Sequence, residues 1–340
     1  MNRLHHLKKT LPENIRQNKK YSDLQHILLD YNSTDGMEKW VQENLQDHIN
    51  NGRVIYYKTG ESESFHRSHS RNMAFRLAEE SIVCNIDADN YTGEDFAFYL
   101  NEHFIVHRDG YLAVDYNADD KRFKDSYGRI ACFKKDFLAV GGYDERMSGY
   151  GYEDIDFCER LSRYGLKQYH ITSDLYLRSI SHSHQERQAN EPRANQIQII
   201  YIQFINPFKS HVIYLFNDQT FSMATLLDSQ EGFGIPSLEE KGWINGLWKT
   251  TDEQLVLKPD NQRTKSLNIT SERHLLYARK NTFYRITDDG FQKELKRIYP
   301  ILTNHQHYLN NIKRNVIKVN SEKFGCGTVF RNFKEKIRIN

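Results

Sequence analysis

An α/β fold, built on a mainly parallel sheet with helices on both faces, is what this sequence predicts, and three observations predict it. Short apolar runs that suit buried strands alternate with helical stretches through the first half of the chain. Acidic residues close two of those runs, at the strand ends where open α/β sheets bind ligands. After Pro207 the texture shifts to Gly, Trp and alternating apolar residues, which predicts a separate β-rich module.

The elements follow in order. Leu4, Leu7 and Leu11 share one helical face, so a helix begins almost at Met1. Residues 24–31 (LQHILLDY) read as a strand ending in Asp30, with a Ser/Thr/Asp/Gly turn behind it. Residues 37–49 form a helix carrying Trp40, Val41, Leu45 and Ile49, and residues 53–58 a second strand. Ser68 or Ser70 caps a helix running to about Glu80, with Met73, Ala74, Leu77 and Ala78 as its buried stripe. Residues 81–87 are a short buried strand, followed by a helix over 94–104, a strand over 128–133 and a short helix over 135–140 closed by Gly141-Gly142. A Gly/Tyr-rich loop, 143–152, leads into a helix from Glu153 with Ile155, Cys158 and Leu161 inward and Gly165 as its stop. Its acids lie in the first turn and Arg160 and Arg163 in the last, as the helix dipole favours. Residues 175–180 read as a strand leading to Ser181-His182-Ser183-His184. Several antiparallel strands are expected through Arg285, then a helix over 291–319 interrupted at Pro300. The division is 1–206 for the first domain, 207–290 for the β-rich module and 291–340 for a C-terminal helical segment.

Bulk properties narrow the function. The chain of 340 residues suffices for one large domain or two ordinary ones. A net charge of +2 implies no long-range attraction to nucleic acid. Cys84, Cys132, Cys158 and Cys326 lack paired spacing, which argues against a structural zinc and a disulfide framework and for a reducing compartment. No apolar run is long enough to cross a bilayer, and the N-terminus is not a signal peptide, so a cytoplasmic location is expected.

Three constellations carry chemistry. Asp87 and Asp89 lean the same way in extended backbone and can share one divalent cation. A calcium loop is excluded, because its glycine position holds Thr92 and its closing acid position Phe98. Magnesium or manganese shared with phosphate oxygens fits better. Glu153 and Asp154 follow a loop in which Gly149 and Gly151 interleave with Tyr150 and Tyr152, and a carboxylate there can take a proton from an acceptor hydroxyl. His182 and His184, spaced by one residue, point the same way, and one of them can complete a metal shell.

The combination of Asp-Ala-Asp after a buried strand, Gly-Gly-Tyr-Asp-Glu (141–145), Gly-Tyr-Gly-Tyr-Glu-Asp-Ile-Asp-Phe-Cys-Glu-Arg-Leu (149–161), His-Ser-His (182–184) and Asn-Glu-Pro (190–192) resembles the inverting GT-A glycosyltransferases. The central block is closest to the C-terminal domain of the galactosyltransferases that make β-linked galactose or N-acetylgalactosamine bonds. The resemblance covers about residues 2–205. It implies a GT-A, Rossmann-like mixed sheet with helices on both faces, the family's first strand absent from this chain, and a β-rich module behind it. It implies that Asp89 holds the metal with Asp87 near the ribose or metal, that His184 is the third ligand with His182 a less well aligned candidate, and that Asp154 is the base with Glu153 beside it. Asp30 matches the position that reads the uracil ring, Arg71 and Asn72 line the nucleotide pocket, and Tyr150 contacts the sugars.

The expected activity is metal-dependent inverting transfer of galactose or an N-acetylhexosamine, from a UDP-sugar to a glycan or lipid-linked saccharide, with Mn2+ or Mg2+ as cofactor. A surface-polysaccharide pathway, in the cytoplasm or at the inner face of the membrane, suits that acceptor. Two alternatives stand beside it. A sugar nucleotidyltransferase wants a Gly-rich basic loop near the N-terminus, which the sequence lacks, and a degenerate, glycan-binding transferase would follow from loss of the first strand.

Overall fold

A computed structural model describes residues 1–115, 125–181, 191–228, 235–251, 254–271 and 282–340. The chain divides into two compact units, one of Met1–Ser148, Tyr152–Asn190 and Asn310–Asn340, the other of Gly149–Gly151 and Glu191–Leu309. In chain order, α1 (Leu4–Gln17), β1 (His26–Tyr31), α2 (Met37–Asn44), α3 (Gln46–Asn50), β2 (Val54–Thr59), α4 (Arg67–Leu77) and β3 (Ile82–Cys84) come first. Then come α5 (Phe96–Val106), β4 (Gly110–Ala113), β5 (Ala131–Phe133), α6 (Lys134–Ala139), α7 (Glu153–Arg163) and β6 (Lys167–His170). The second unit holds α8 (Pro192–Asn195), β7 (Ile197–Asn206), β8 (Lys209–Phe216), β9 (Thr220–Leu227), β10 (Ser237–Leu238), β11 (Ile244–Thr250), β12 (Gln254–Pro259), β13 (Lys265–Thr270) and β14 (Thr282–Arg285). Last are α9 (Asp289–Lys313), β15 (Gly327–Arg331) and β16 (Glu335–Ile339).

The first unit is α/β, with two four-stranded sheets in the orders β1-β2-β15-β16 and β3-β5-β4-β6. Helices cover both faces of the first sheet. Val54 and Tyr56 face Leu4, Leu7, Leu11 and Ile15 of α1 together with Val41 and Ile49, while Ile55 and Tyr57 face Met73 of α4. This is the period-two alternation of a strand buried on both sides. The second sheet repeats the plan, with Val83, Tyr111 and Cys132 against Phe157 and Leu161 of α7, and Leu112 and Ala131 against Phe96 and Phe104 of α5.

The sheets are less parallel than the strand–helix alternation suggests. β1–β2 and β4–β6 pair parallel, whereas β2–β15, β15–β16, β3–β5 and β4–β5 pair antiparallel. The hairpin β15–β16 lies in the segment expected to be helical, and it joins the first sheet through Phe330↔Lys58 and Arg331↔Tyr57. The strand expected over 175–180 is a 3-10 turn at Asp174–Tyr176 followed by a single bridge, Ser179↔Asn90. There the backbone bonds across to the Asp89 turn, with Tyr91 N donating to Arg178 O and Ile180 N to Asp89 O. The α4 N-cap is His66, whose ring accepts from His69 N. Ser68 lies inside the helix, and the buried face of α4 is largely polar, carrying Ser68, Arg71 and Asn72 beside Met73 and Phe75.

The second unit is a barrel. Its eight described strands run β10-β9-β11-β12-β13-β14-β7-β8, and β8 pairs back onto β9 to close the sheet. β7 (Ile197–Asn206), which the sequence reading kept with the first domain, is one of these strands. Ile213, Leu215, Phe221, Leu255 and Leu257 fill one face of the sheet, and Val212, Tyr214 and Phe216 pack the other against Leu295, Ile298, Tyr299 and Leu302 of α9. α9 continues through Pro300 rather than breaking there. A mid-helix proline costs roughly 3 kcal/mol, and the burial of Ile298, Tyr299, Ile301 and Leu302 around it offsets that cost. Among the described residues no helix is long and apolar enough to cross a membrane.

Candidate active site

β3 ends at Cys84, and the chain turns directly after it. Asn85 N donates to Ile130 O at 3.0 Å, and Asn90 N donates to Asp87 O at 2.9 Å, which closes a tight turn around the two aspartates. Asp89 is buried and accepts from Asn90 Nδ2 at 2.9 Å. Asp87 is the outward member, its carboxylate 37 % exposed. Its Oδ1 accepts from Asn85 Nδ2 at 3.0 Å and from Arg71 Nη2 at 3.2 Å.

Arg71 organises the site. It lies on α4 one turn after Arg67, so the two guanidinium groups share a face. Arg71 Nη1 donates to Asp154 Oδ1 at 2.7 Å and lies 3.5 Å from Glu153 Oε1, while Arg67 Nε lies 3.4 Å from the same Glu153 oxygen. A single guanidinium therefore bridges Asp87, after β3, to Asp154, in the first turn of α7. Gly128 makes the approach feasible, since a Cβ there would stand 2.8 Å from Arg71 Nη2 and 2.9 Å from Asp87 Oδ2.

The electrostatics differ between the two carboxylates. For Asp87, burial works upward, but the Arg71 charge and the Asn85 donor outweigh it and hold the carboxyl below its ordinary value. For Asp154, burial dominates over the pull of Arg71 and, with the neighbouring Glu153 and Asp87 charges, pushes the carboxyl up to about 7. One acid of the cluster is thus a firm anion and the other a group that exchanges a proton near neutral pH, the division of labour acid–base sites require. Among the described residues no group of three His, Cys, Asp or Glu side chains is arranged to hold a metal. Asp87 and Asp89 supply hard oxygen donors, and a pair of carboxylates completed by phosphate oxygens suits magnesium or manganese.

Residues 114–185, the stretch containing Glu153 and Asp154, match the family model described as the N-terminal domain of galactosyltransferase. Over that stretch the chain is similar to the galactosyltransferase family. The comparison with curated proteins found no match. Among solved structures the chain is similar to S. aureus TarS 1-349, with 15% identity, a TM-score of 0.41 and coverage of 52% of this chain and 56% of that one. It is also similar to TarS 1-349 in complex with UDP-GlcNAc, with 13% identity, a TM-score of 0.38 and coverage of 55% and 61%. A third is a Drosophila β-1,4-galactosyltransferase 7 mutant in complex with manganese, UDP-Gal and xylobiose, with 16% identity, a TM-score of 0.32 and coverage of 48% and 74%. The chain thus spans little more than half of the first TarS chain it matches.

Within the first unit, the structure brings together Asp87, Arg71, Glu153 and Asp154, with Asp89 in the same turn as Asp87. It sets other expected residues elsewhere. Asn72 is fully buried, and its amide clamps the Gly-Gly-Tyr loop, donating to Tyr143 O at 2.9 Å and to Glu145 Oε1 at 3.0 Å while accepting from Tyr143 N at 2.8 Å. In this structure both of its N–H donors are taken by that loop. Asp30 is buried at the end of β1, accepting from Tyr56 Oη and from Ser33 N at 2.8 Å each, so the structure joins it to its own sheet rather than to the acid cluster. Tyr150 is half-buried and belongs to the second unit. His182 and His184 lie outside the described residues. Three residues that sequence reading missed also contribute, Arg67, Asn85 and Gly128. Two had a local signal, Arg67 standing one helical turn before Arg71 and Asn85 standing two residues before Asp87 in extended backbone. Gly128 had none.

Proposed function

We propose that this protein is a metal-dependent inverting glycosyltransferase that moves galactose or an N-acetylhexosamine from a UDP-sugar to a glycan or lipid-linked saccharide hydroxyl. The observation that carries the reading is the Arg71 bridge, which joins the Asp87 turn to Asp154 at 2.7 and 3.2 Å. The galactosyltransferase-type segment over 114–185 supports the choice of a nucleotide-sugar donor.

Asp87 and Asp89, with His184 or His182, would hold manganese or magnesium, and the bound cation supplies charge neutralisation at the diphosphate. Arg71 and Arg67 hold the acid cluster in place and add positive charge beside the same group. Asp154 accepts the acceptor's hydroxyl proton. The acceptor oxygen forms its bond to the anomeric carbon as the bond from that carbon to the diphosphate oxygen breaks on the opposite face, the electron pair leaving with UDP. The configuration inverts. Burial, helped by the neighbouring Glu153 charge, pushes the Asp154 carboxyl up to about 7, where it can act as a base near neutral pH. A cytoplasmic site of action, at the inner membrane face when the acceptor is lipid-linked, belongs to the same reading.

The test is Asp154→Asn, assayed for UDP release with acceptor present. Loss of a general base lowers turnover by about 10³-fold, while calorimetry should find UDP binding with manganese within about twofold of wild type. Retained turnover removes Asp154 from the role. EDTA should stop the reaction, and full activity in its presence removes the metal.

A further inference from the structure

The N-terminal helix has two buried faces, and the polar one has no role in the reading above. Leu4, Leu7, Leu11 and Ile15 enter the core. Beside that apolar stripe Thr10, Asn14 and Asn18 recur at intervals of four, so they form a polar stripe of their own, and each is no more than 4 % exposed. Buried polar side chains require partners, and these three find them in the loop that carries the two aspartates. Thr10 Oγ1 donates to Ala88 O at 2.6 Å. Asn14 Nδ2 donates to Asn90 O at 3.0 Å, and Asn14 Oδ1 accepts from Thr92 N at 2.8 Å. Asn18 Nδ2 donates to Thr92 Oγ1 at 2.9 Å, and Asn18 Oδ1 accepts from Ala97 N at 2.8 Å, at the start of α5.

We propose that Thr10 and Asn14 are positioning residues for Asp87 and Asp89, acting through the backbone of the turn between them. Ala88 is the residue separating the two aspartates, so the Thr10 bond fixes the peptide plane on which both carboxylates depend. Asn14 grips Asn90, whose side chain donates to Asp89 Oδ1, and so sets the orientation of the buried member. Asn18 lies at the far end of the stripe, bonded beyond the turn, and holds the loop to α5 without fixing either aspartate. The inference rests on the assignment of Asp87 and Asp89 as the cation-holding pair.

The experiment is titration of the full chain with manganese in the presence of UDP, following free manganese by electron paramagnetic resonance, with melting temperature recorded for every variant. Loss of the Thr10 bond to Ala88 O in Thr10→Val, and of the bonds to Asn90 O and Thr92 N in Asn14→Ala, should each weaken manganese binding by about 5- to 10-fold. Thr10→Ser, which keeps the hydroxyl, should return the Kd to within about twofold of wild type. Asn18→Ala should lower the melting temperature about as much as Asn14→Ala while its Kd stays within about twofold. If Thr10→Val does not fold, Asn14→Ala against Asn18→Ala carries the same contrast. Wild-type affinity in both Thr10→Val and Asn14→Ala, whatever their melting temperatures, overturns the inference alone. A wild-type chain that takes up no manganese overturns it together with the assignment of the aspartates.

Discussion

The two units of this chain are packed on different principles. The first buries Asp30, Arg71, Asp89, Arg129, Asp144, Glu153, Asp156 and Arg160, all at 8 % exposure or less. Among the described residues of the second unit only one charged side chain, Glu191, is buried to that degree, and one face of the barrel is filled by Tyr201, Ile213, Leu215, Phe221, Leu255, Leu257 and Phe283. Burying a charge costs several kcal/mol unless it is paired and hydrogen-bonded, so a domain optimised for stability alone has little reason to contain so many. The contrast fits the proposed function, in which the chemistry resides in the first unit and buried charge shifts protonation and fixes geometry. The barrel is held by ordinary hydrophobic packing.

The largest break in that contrast is expected at the buried pair of Asp156 and Arg160, 2.7 Å apart and essentially inaccessible. Asn311 Nδ2 completes the network, donating to Asp156 Oδ1 at 2.8 Å and to Asp144 Oδ2 at 3.0 Å. Asp156→Ala strands Arg160 as a buried charge and should cost about 3–5 kcal/mol in denaturant unfolding. A loss below about 1 kcal/mol would mean that Arg160 finds another partner. The matching change in the barrel, Leu257→Ala, should cost about 2–4 kcal/mol through the cavity it leaves, with kcat/KM within about twofold of wild type. A large fall in kcat/KM at matched folded protein would show that the barrel takes part in turnover.

Smaller effects sharpen the comparison inside the first unit. Gly128→Ala places a methyl group against Arg71 and Asp87. It should lower kcat/KM by about 10-fold with a minor change in melting temperature, and an unaltered kcat/KM would show that the bridge is not needed. The mildest test is pH. Asp154 must be ionised to accept a proton, and its carboxyl is pushed up to about 7. So kcat/KM should rise with pH below about 7 and level off above it. Arg71→Ala removes a charge that favours the anion, and should move that limb to higher pH. A limb near the ordinary carboxylate range in wild type would contradict the burial of Asp154.

Much of the site was legible because its signals are local. A short apolar strand followed by Asp-Ala-Asp, and an acid pair opening a helix after a glycine-rich loop, need no knowledge of distant contacts. The Asn72 clamp on the Tyr143 loop was not legible because that loop lies far along the chain. The closing hairpin β15–β16 was invisible for the same reason. Phe330 pairs with Lys58 across most of the chain, and neither strand has an apolar pattern strong enough to declare itself. β6 was missed because its burial runs exposed, half-buried, half-buried, exposed, with no alternation to detect. The roles of Thr10, Asn14 and Asn18 were not legible in the sequence, because their partners in the Asp87 turn lie more than seventy residues along the chain.

The most direct test of a single site shared by the Asp87 turn and Asp154 is a crystal structure of the chain with UDP and manganese. The expected result is the ion on Asp87 and Asp89, with the diphosphate between it and Arg71 and with Asp154 lining the same space. A diphosphate bound away from Arg71, or an ion that leaves both aspartates untouched, would contradict it.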